Sequence, residues 1–438
     1  MQDAALVEQL AYLARGSDFY REKLAAEGAS LEGVRSTRDL AGLPFTEKSE
    51  LRESLQQHPP LGSHVAARLE DVVQVQASSG TTGSPSYVGL TQSDRRVWCE
   101  MGARALYANG LRPGDRALHG FGMSKGFVGG LPVAQILSYM GVCEVPIGAE
   151  AGVERLLRVQ ADQRTNVLLG TPYYLIYLGE QAPDVVGSAA RDLGVTTIAT
   201  GGEPGGGIPS VRRRIEELWG ATVRENLGGT DLGACYWGEC EAGRGVHFLS
   251  PDLLVAELID PDTGEQLTPA EGVEGELVYT SLRREASPLL RFRTRDRVVV
   301  TGTDCPCGRT GYMVRCIGRT DDMLIVRGIN VFPSAVQDLV TGLRPRTTGE
   351  LRIVADFDGH TTQRPLTILV EHGPSTNPAE VAQEVADRLR SALQFKPHVL
   401  AVAPGTLGVP GAGKVKLVER SSVEALPYVV AAAAGPST

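Results

Sequence analysis

Leu6, Leu10, Leu13 and Tyr20 recur at helical spacing, which predicts a helix over 4–27. Pro44-Phe45-Thr46, followed by Glu47 and Leu51, has the form of a capped helix start. Val72–Ala77 reads as a short β-branched strand. It runs into Ser78-Ser79-Gly80-Thr81-Thr82-Gly83-Ser84-Pro85, a stretch with almost no bulky side chains. Helical and extended patterns then alternate: 93–109 with 116–120, Leu131–Met140 with 143–146, and Val153–Gln163 with Val167–Gly170. The segments 189–193 with 195–200 and 208–219 with 222–225 continue the series. That alternation predicts a parallel, helix-covered sheet and an α/β fold class. After Asn226 the pattern becomes strands joined by turns, at 246–248, 253–259, 275–280 and 296–301, a β-rich and antiparallel region. A further unit begins near Arg319. It has strands at 323–327, 351–357, 366–371 and 399–402 and a helix at Pro378–Leu393, a compact α+β module of about 100 residues.

Length and composition narrow the function class. A chain of 438 residues suggests two or three domains. With 42% apolar and 22% charged residues it has the composition of a globular protein rather than a disordered one. The formal charge of −9, with no long Lys/Arg run, excludes a role coating nucleic acid. No run of about 18 apolar residues predicts a membrane span, and residues 1–15 lack the features of a signal peptide. Seven cysteines is an odd number and gives no disulfide framework, so a reduced, cytoplasmic setting is expected.

Three groups of residues have the types that chemistry needs. Small hydroxyl and glycine residues over 78–85 allow backbone N–H groups to converge on an anion; the other reading of the same loop is a flexible turn. Cys240, His247, Cys305 and Cys307 offer a thiolate and imidazole set suited to tetrahedral Zn²⁺; the other reading is buried thiols beside a surface histidine. Glu203, Asp231 and Asp296 stand at strand-to-loop transitions, where carboxylates hold Mg²⁺ or ribose hydroxyls, or act as turn and cap residues. Gly408-Val409-Pro410-Gly411-Ala412-Gly413-Lys414 matches Walker A spacing as far as the lysine. Val415 stands where a Ser or Thr belongs, and too few residues follow for a nucleotide-binding sheet, so a P-loop NTPase is excluded.

Taken together and in order, these segments resemble the phenylacetate–CoA ligase family of the adenylate-forming superfamily. Ser78 to Pro85 is similar to its phosphate-binding loop, Gly202-Glu203-Pro204 to the segment beside adenine, and Pro288 to Asp296 to its ribose motif. Gly318 to Pro333 is close to its hinge motif, and Gly413-Lys414 falls where its catalytic lysine is expected. The resemblance runs from Phe19-Tyr20-Arg21 to Lys414, nearly the whole chain.

The resemblance implies an N-terminal adenylation domain over 1–318, a hinge at Asp321 and a mobile C-terminal domain over 319–438. It implies ATP, Mg²⁺ and CoA (or a carrier protein's phosphopantetheine), an aryl-adenylate, and then a thioester. On this reading Lys414 bridges the carboxylate and the α-phosphate, Thr230 donates to that phosphate, and Asp231 holds Mg²⁺. Ser78, Ser79, Gly80, Thr81, Thr82 and Gly83 cradle phosphate. Gly202, Glu203, Pro204 and Leu227 border adenine, Asp296 and Arg319 take the ribose, and Gly328 meets the pantetheine arm. Cys240, His247, Cys305 and Cys307 match a structural zinc set found in part of the family. The chain departs from the family pattern at Ser84, where a lysine is common, at Leu227, where an aromatic is usual, and at Asp231, where glutamate is usual. The acyl pocket is expected among His119, Phe121, Lys125, Phe127 and Tyr173, with Lys125 or His119 meeting a polar ring substituent of a hydroxy- or aminobenzoate. The alternative on the same fold is an acyltransferase moving an aryl group between CoA and a carrier protein without ATP; retention of Lys414 and Asp296 argues against it. The resemblance favours a homodimer, while the residues leave the acid, the thiol acceptor and the oligomeric state open.

Overall fold

One eleven-stranded sheet runs through the molecule, and a single strand converts its parallel half into an antiparallel half. The structure is a computed structural model that describes residues 2–78, 86–124, 126–320, 322–408 and 417–426. In the parallel half, Cys143–Val145, Arg116–His119, Val167–Gly170, Thr197–Thr200 and Thr222–Gly229 lie side by side in that order. The helices Leu131–Met140, Val153–Gln163, Pro172–Val186 and Pro209–Trp219 connect them. Thr222–Gly229 pairs parallel with Thr197–Thr200 along its first half and antiparallel with Gly233–Glu239 along its second. The β-rich region is therefore continuous with the parallel sheet. Its strands follow in the order Gly233–Glu239, Val246–Phe248, Met313–Arg319, Phe292–Gly302, Glu274–Ser281 and Leu254–Ile259.

Each half has its own core. Trp219, Tyr174, Ile198 and Val223 are buried under the parallel half, and Trp237, Tyr279, Leu277 and Phe292 under the antiparallel half. Each such side chain contributes about 1.5–3 kcal/mol by leaving water. A third core of Leu324, Val336, Leu351, Ile368 and Val385 belongs to the C-terminal unit. There, Pro397–Val402, Leu366–His372, Thr347–Val354 and Val418–Glu419 form a four-stranded sheet carrying the helices Pro333–Thr341 and Pro378–Leu393. Among the described residues no helix is long and apolar enough to cross a membrane.

The structure departs from the sequence reading at several elements, among them the strand Tyr87–Thr91 and the helix Pro333–Thr341, which the sequence reading lacks. The helix expected over 4–27 is two helices, Gln2–Gly16 and Asp18–Ala26, because the Ser17 side chain accepts from the Tyr20 N–H and restarts the chain. The helix Pro172–Val186 was not anticipated: Gly179 and Pro183 interrupt a pattern already crowded with tyrosines. The strands Gly233–Glu239, buried on both faces, and Met313–Arg319, whose burial does not alternate, lack the period-two pattern that marks a strand.

Candidate active site

The loop after Val72–Ala77 is held at its base. Ser78 N–H donates to the Ser86 carbonyl, their hydroxyls lie 2.8 Å apart, and Ala77 N–H donates to the Gly126 carbonyl. Val72–Ala77 pairs antiparallel with Tyr87–Thr91, so the two ends of the loop are fixed next to each other. Ser79, Gly80, Thr81, Thr82 and Gly83, like Lys125, Asp321 and Lys414, lie outside the described residues.

Thr230 and Asp231 occupy the turn of the hairpin that joins the two sheet halves, where Gly229 pairs with Gly233. Gly228 makes this turn possible: an added Cβ would fall 2.1 Å from the Ala234 carbonyl oxygen. Asp231 Oδ2 accepts from Lys48 Nζ at 2.5 Å, with the two side chains 16% and 23% exposed. Lys48 was not singled out in the sequence. It opens the capped helix Lys48–Gln57, and that segment is zipped to the ribose motif, where Thr46 N–H donates to Arg291 O and Arg293 N–H donates to Thr46 O. Burial pushes neighbouring His64 down to about 4, against the pull of the Asp231 carboxylate.

Asp296 and Arg319 are direct partners across the strands Phe292–Gly302 and Met313–Arg319, with Arg319 Nη1 3.5 Å from Asp296 Oδ1. The other arginines of this motif are committed elsewhere. Arg291 forms a buried fork with Glu257, Arg293 with Glu276, and Arg295 pairs with Glu47. Burial, reinforced by the Asp296 and Asp231 carboxylates, pushes the buried Tyr236 phenol far up. Both carboxylates therefore act on one ring, Asp231 from the hairpin turn and Asp296 from the strand Phe292–Gly302.

Gly202, Glu203 and Pro204 follow the carboxyl end of Thr197–Thr200, the edge at which open α/β sheets place ligands. Gly202 takes φ +87°, and a Cβ there would sit 3.6 Å from Thr171 and 3.7 Å from Phe127. It is the backbone conformation rather than space that asks for glycine. Behind this loop Glu225 is buried against Glu239, with Arg212 bonded to Glu239 Oε2 at 2.6 Å. Desolvation, then the Glu239 carboxylate, raises Glu225 to about 7. Leu227 lies beside Trp237 in the hairpin, half-buried against the antiparallel core.

The expected acyl-pocket residues divide. Phe121 and Phe127 stand edge to face with centroids 6.5 Å apart, beside Gly202 and Thr171. His119 is fully buried. Its Nδ1 lies 2.8 Å from Glu144 and its Nε2 2.9 Å from the Gly129 carbonyl, so no ring nitrogen is left for a polar substituent. That expectation is corrected. Tyr173 is packed into the core beneath the parallel half, and its phenol is pushed far up by burial and then by the Glu203 carboxylate.

Cys240, His247, Cys305 and Cys307 bring their ligand atoms within 4.8 Å of one another. Cys240 Sγ is 3.6 Å from Cys305 Sγ, and Cys307 Sγ is 3.5 Å from His247 Nε2. Ligands at about 2.3 Å (S) and 2.0 Å (N) from a tetrahedral Zn²⁺ would stand about 3.7 and 3.5 Å apart, so the donor set fits that ion. Gly328 turns the hairpin between Leu324–Val326 and Ile329–Val331 with φ +83° and open space around it.

No family model matches the chain. It is 35% identical over 372 residues to the phenylacetate-coenzyme A ligase of Thermus thermophilus, covering 84% of this chain and 81% of that one. It is 33% identical to the enzyme of the same name from Aromatoleum evansii, covering 82% and 78%. Among solved structures, 2-hydroxyisobutyryl-CoA ligase in its postadenylation state overlays with a TM-score of 0.87 at 26% identity, covering 96% of this chain and 89% of that one. The same ligase overlays at 0.71 in an open conformation and at 0.70 in its thioesterification state.

Proposed function

The chain belongs to the phenylacetate–CoA ligase family, and from that premise we propose that it joins a small aromatic carboxylic acid to coenzyme A. It is an AMP-forming acid–thiol ligase that works through an ATP-dependent acyl-adenylate. The observation that carries the substrate reading is a convergence. Phe127, edge to face with Phe121, lies beside Gly202 past the carboxyl end of Thr197–Thr200, and Asp231 with Lys48 stands at the hairpin turn past the neighbouring strand Thr222–Gly229. Two flat apolar walls beside a cationic and carboxylate-bearing rim suit an aromatic acid next to a nucleotide.

In the first step the acid's carboxylate oxygen forms a bond to the α-phosphorus as the bond to pyrophosphate breaks. In the second, a thiolate attacks the acyl carbon and AMP departs. Negative charge spreads over the phosphates in the first step, so fixed cations and N–H donors are what the protein must supply. The loop Ser78 to Gly83 and Thr230 are proposed to donate to the phosphates, and Lys414 to bridge carboxylate and α-phosphate. Asp231 would hold Mg²⁺, which supplies charge neutralisation when bound. Lys48 places a cation at that carboxylate, in a chain whose phosphate loop has Ser84 in place of a lysine. Asp296 and Arg319 are proposed to take the ribose, and Gly202-Glu203-Pro204 with Leu227 to border adenine.

Cys240, His247, Cys305 and Cys307 would hold a Zn²⁺ that serves as a structural clamp. The proposed domains are 1–318 and 319–438 with the hinge at Asp321, and Gly328 beside the pantetheine arm. The high overlay on a postadenylation state supports an arrangement of the two units suited to the adenylate. With His119 committed to Glu144 and Gly129, Lys125 is the residue proposed to meet a polar ring substituent.

The test is acid-dependent pyrophosphate release from ATP and Mg²⁺ across phenylacetate, benzoate, hydroxy- and aminobenzoates and the aliphatic acids acetate and 2-hydroxyisobutyrate, with and without CoA. Release with an aromatic acid, and consumption of the adenylate on adding CoA, is the expected result. Release only with aliphatic acids defeats the aromatic assignment, and an adenylate that persists with CoA defeats CoA as acceptor.

A further inference from the structure

Glu180 lies on the helix Pro172–Val186 at the seam between the sheet-bearing part of the chain and the C-terminal unit. Its Oε1 accepts from Arg214 of the helix Pro209–Trp219, through Nη2 at 2.8 Å and Nε at 3.3 Å. The same oxygen accepts from Arg344 Nη1, at 2.5 Å, just beyond the helix Pro333–Thr341. One carboxylate oxygen thus joins two guanidinium groups that belong to different units.

Each arginine is placed by its own side of the seam. Arg214 stands on a helix packed under the parallel sheet. Arg344 is backed by the turn at Gly349, where an added Cβ would fall 2.6 Å from its Nε. A second contact runs alongside: Ser210 Oγ reaches Asp338 Oδ1 at 2.5 Å and the Asp338 carbonyl at 3.2 Å. Glu180, Arg214 and Arg344 are 29%, 34% and 20% exposed, shielded enough that water does not cancel the pairing.

None of these groups belongs to the chemistry proposed above, yet their pairing depends on where the C-terminal unit sits. One ligase overlays on this chain at 0.87 in a postadenylation state and at 0.70 in a thioesterification state. Glu180 and Arg344 lie on opposite sides of the seam, so their bond holds only while the C-terminal unit sits as it does here. We propose that Glu180 is a positioning residue for the adenylate-forming half-reaction. By accepting from Arg344 it seats the C-terminal unit against the helices Pro172–Val186 and Pro209–Trp219. The pairing is released when the unit moves for thioester formation. This rests on the ligase reading above.

Two arms test it on the full chain. Small-angle scattering without ligand reads the seating itself. The wild type is expected to match the seated arrangement described above, and Glu180→Gln, which keeps shape but removes charge, is expected to depart from it. The two half-reactions read the consequence. Acid-dependent ATP–pyrophosphate exchange is expected to fall about tenfold in Glu180→Gln. Thioester formation from supplied acyl-adenylate should be unchanged or faster. Arg344→Gln should repeat the pattern, and the double variant should lose little more than either single one. Unchanged scattering, or a parallel fall of both half-reactions, overturns the proposal, because a merely structural role would lower both. A wild type without acid-dependent exchange whose scattering still responds to Glu180→Gln would overturn the ligase reading and leave the seating in place.

Discussion

Lys48 and Glu225 show how single side chains are decided by surroundings that the sequence does not display. Lys48 is an ordinary surface lysine by composition, yet it meets Asp231 from the other end of the N-terminal region. Lys48→Ala should lower acid-dependent pyrophosphate exchange by about 10- to 100-fold, the scale of removing one preorganised charge from a phosphoryl-transfer site. A variant with full exchange would remove Lys48 from the site. Glu225 is raised to about 7 by burial and then by Glu239. Between its ordinary value and 7 the folded state binds the proton and the unfolded state does not, so its contribution is present below about pH 4.5 and is lost as pH rises through 7. Glu225→Gln should therefore gain stability over the wild type at pH 8, on the order of 2 kcal/mol, with the gain vanishing near pH 4.5. Denaturant melts at the two pH values measure it.

Elements position these groups, and two of them can be tested alone. The hairpin carrying Thr230 and Asp231 closes because Gly228 passes against the Ala234 carbonyl. Gly228→Ala must push that backbone apart, so exchange activity should fall at least tenfold with a Tm drop of several degrees. The four zinc-fitting residues join the end of Gly233–Glu239, the strand Val246–Phe248 and the turn before Met313–Arg319. Chelation of zinc-loaded protein should lower Tm by several degrees, and Cys240→Ser should do the same without chelator. About one zinc per chain in metal analysis is expected, and a Tm indifferent to chelator would reduce the cluster to buried thiols. The sequence exposed these elements unevenly. Val153–Gln163 and Pro378–Leu393 were legible to the residue, because one face is apolar and the other charged. Pro172–Val186 was not, because it is apolar on most sides and carries an internal proline.

At the scale of the whole molecule, the sheet's change of direction at Thr222–Gly229 makes one continuous sheet of the parallel half and of the antiparallel half that carries Asp231 and Asp296, and the C-terminal unit has its own sheet. Lys414→Ala should abolish adenylation, by at least about a hundredfold, while leaving thioester formation from supplied adenylate nearly intact. Equal loss in both steps would mean that this lysine does not serve the first step alone.

By itself the sequence determined the alternation of helices and strands through the parallel half, the small-residue loop after the first strand, the cysteine and histidine set, and the ordered motifs that resemble one ligase family. These rest on local periodicity and residue type, which neighbours along the chain suffice to express. Only the tertiary structure decided that His119 spends both nitrogens on Glu144 and Gly129, that Tyr173 is buried in the core under the parallel half, and that Lys48 reaches Asp231. It also joined Glu180 to Arg344 across two units. Those outcomes depend on contacts between residues far apart in sequence. Burial there commits each polar atom to whatever partner the fold brings within hydrogen-bond reach, and no spacing along the chain encodes that choice.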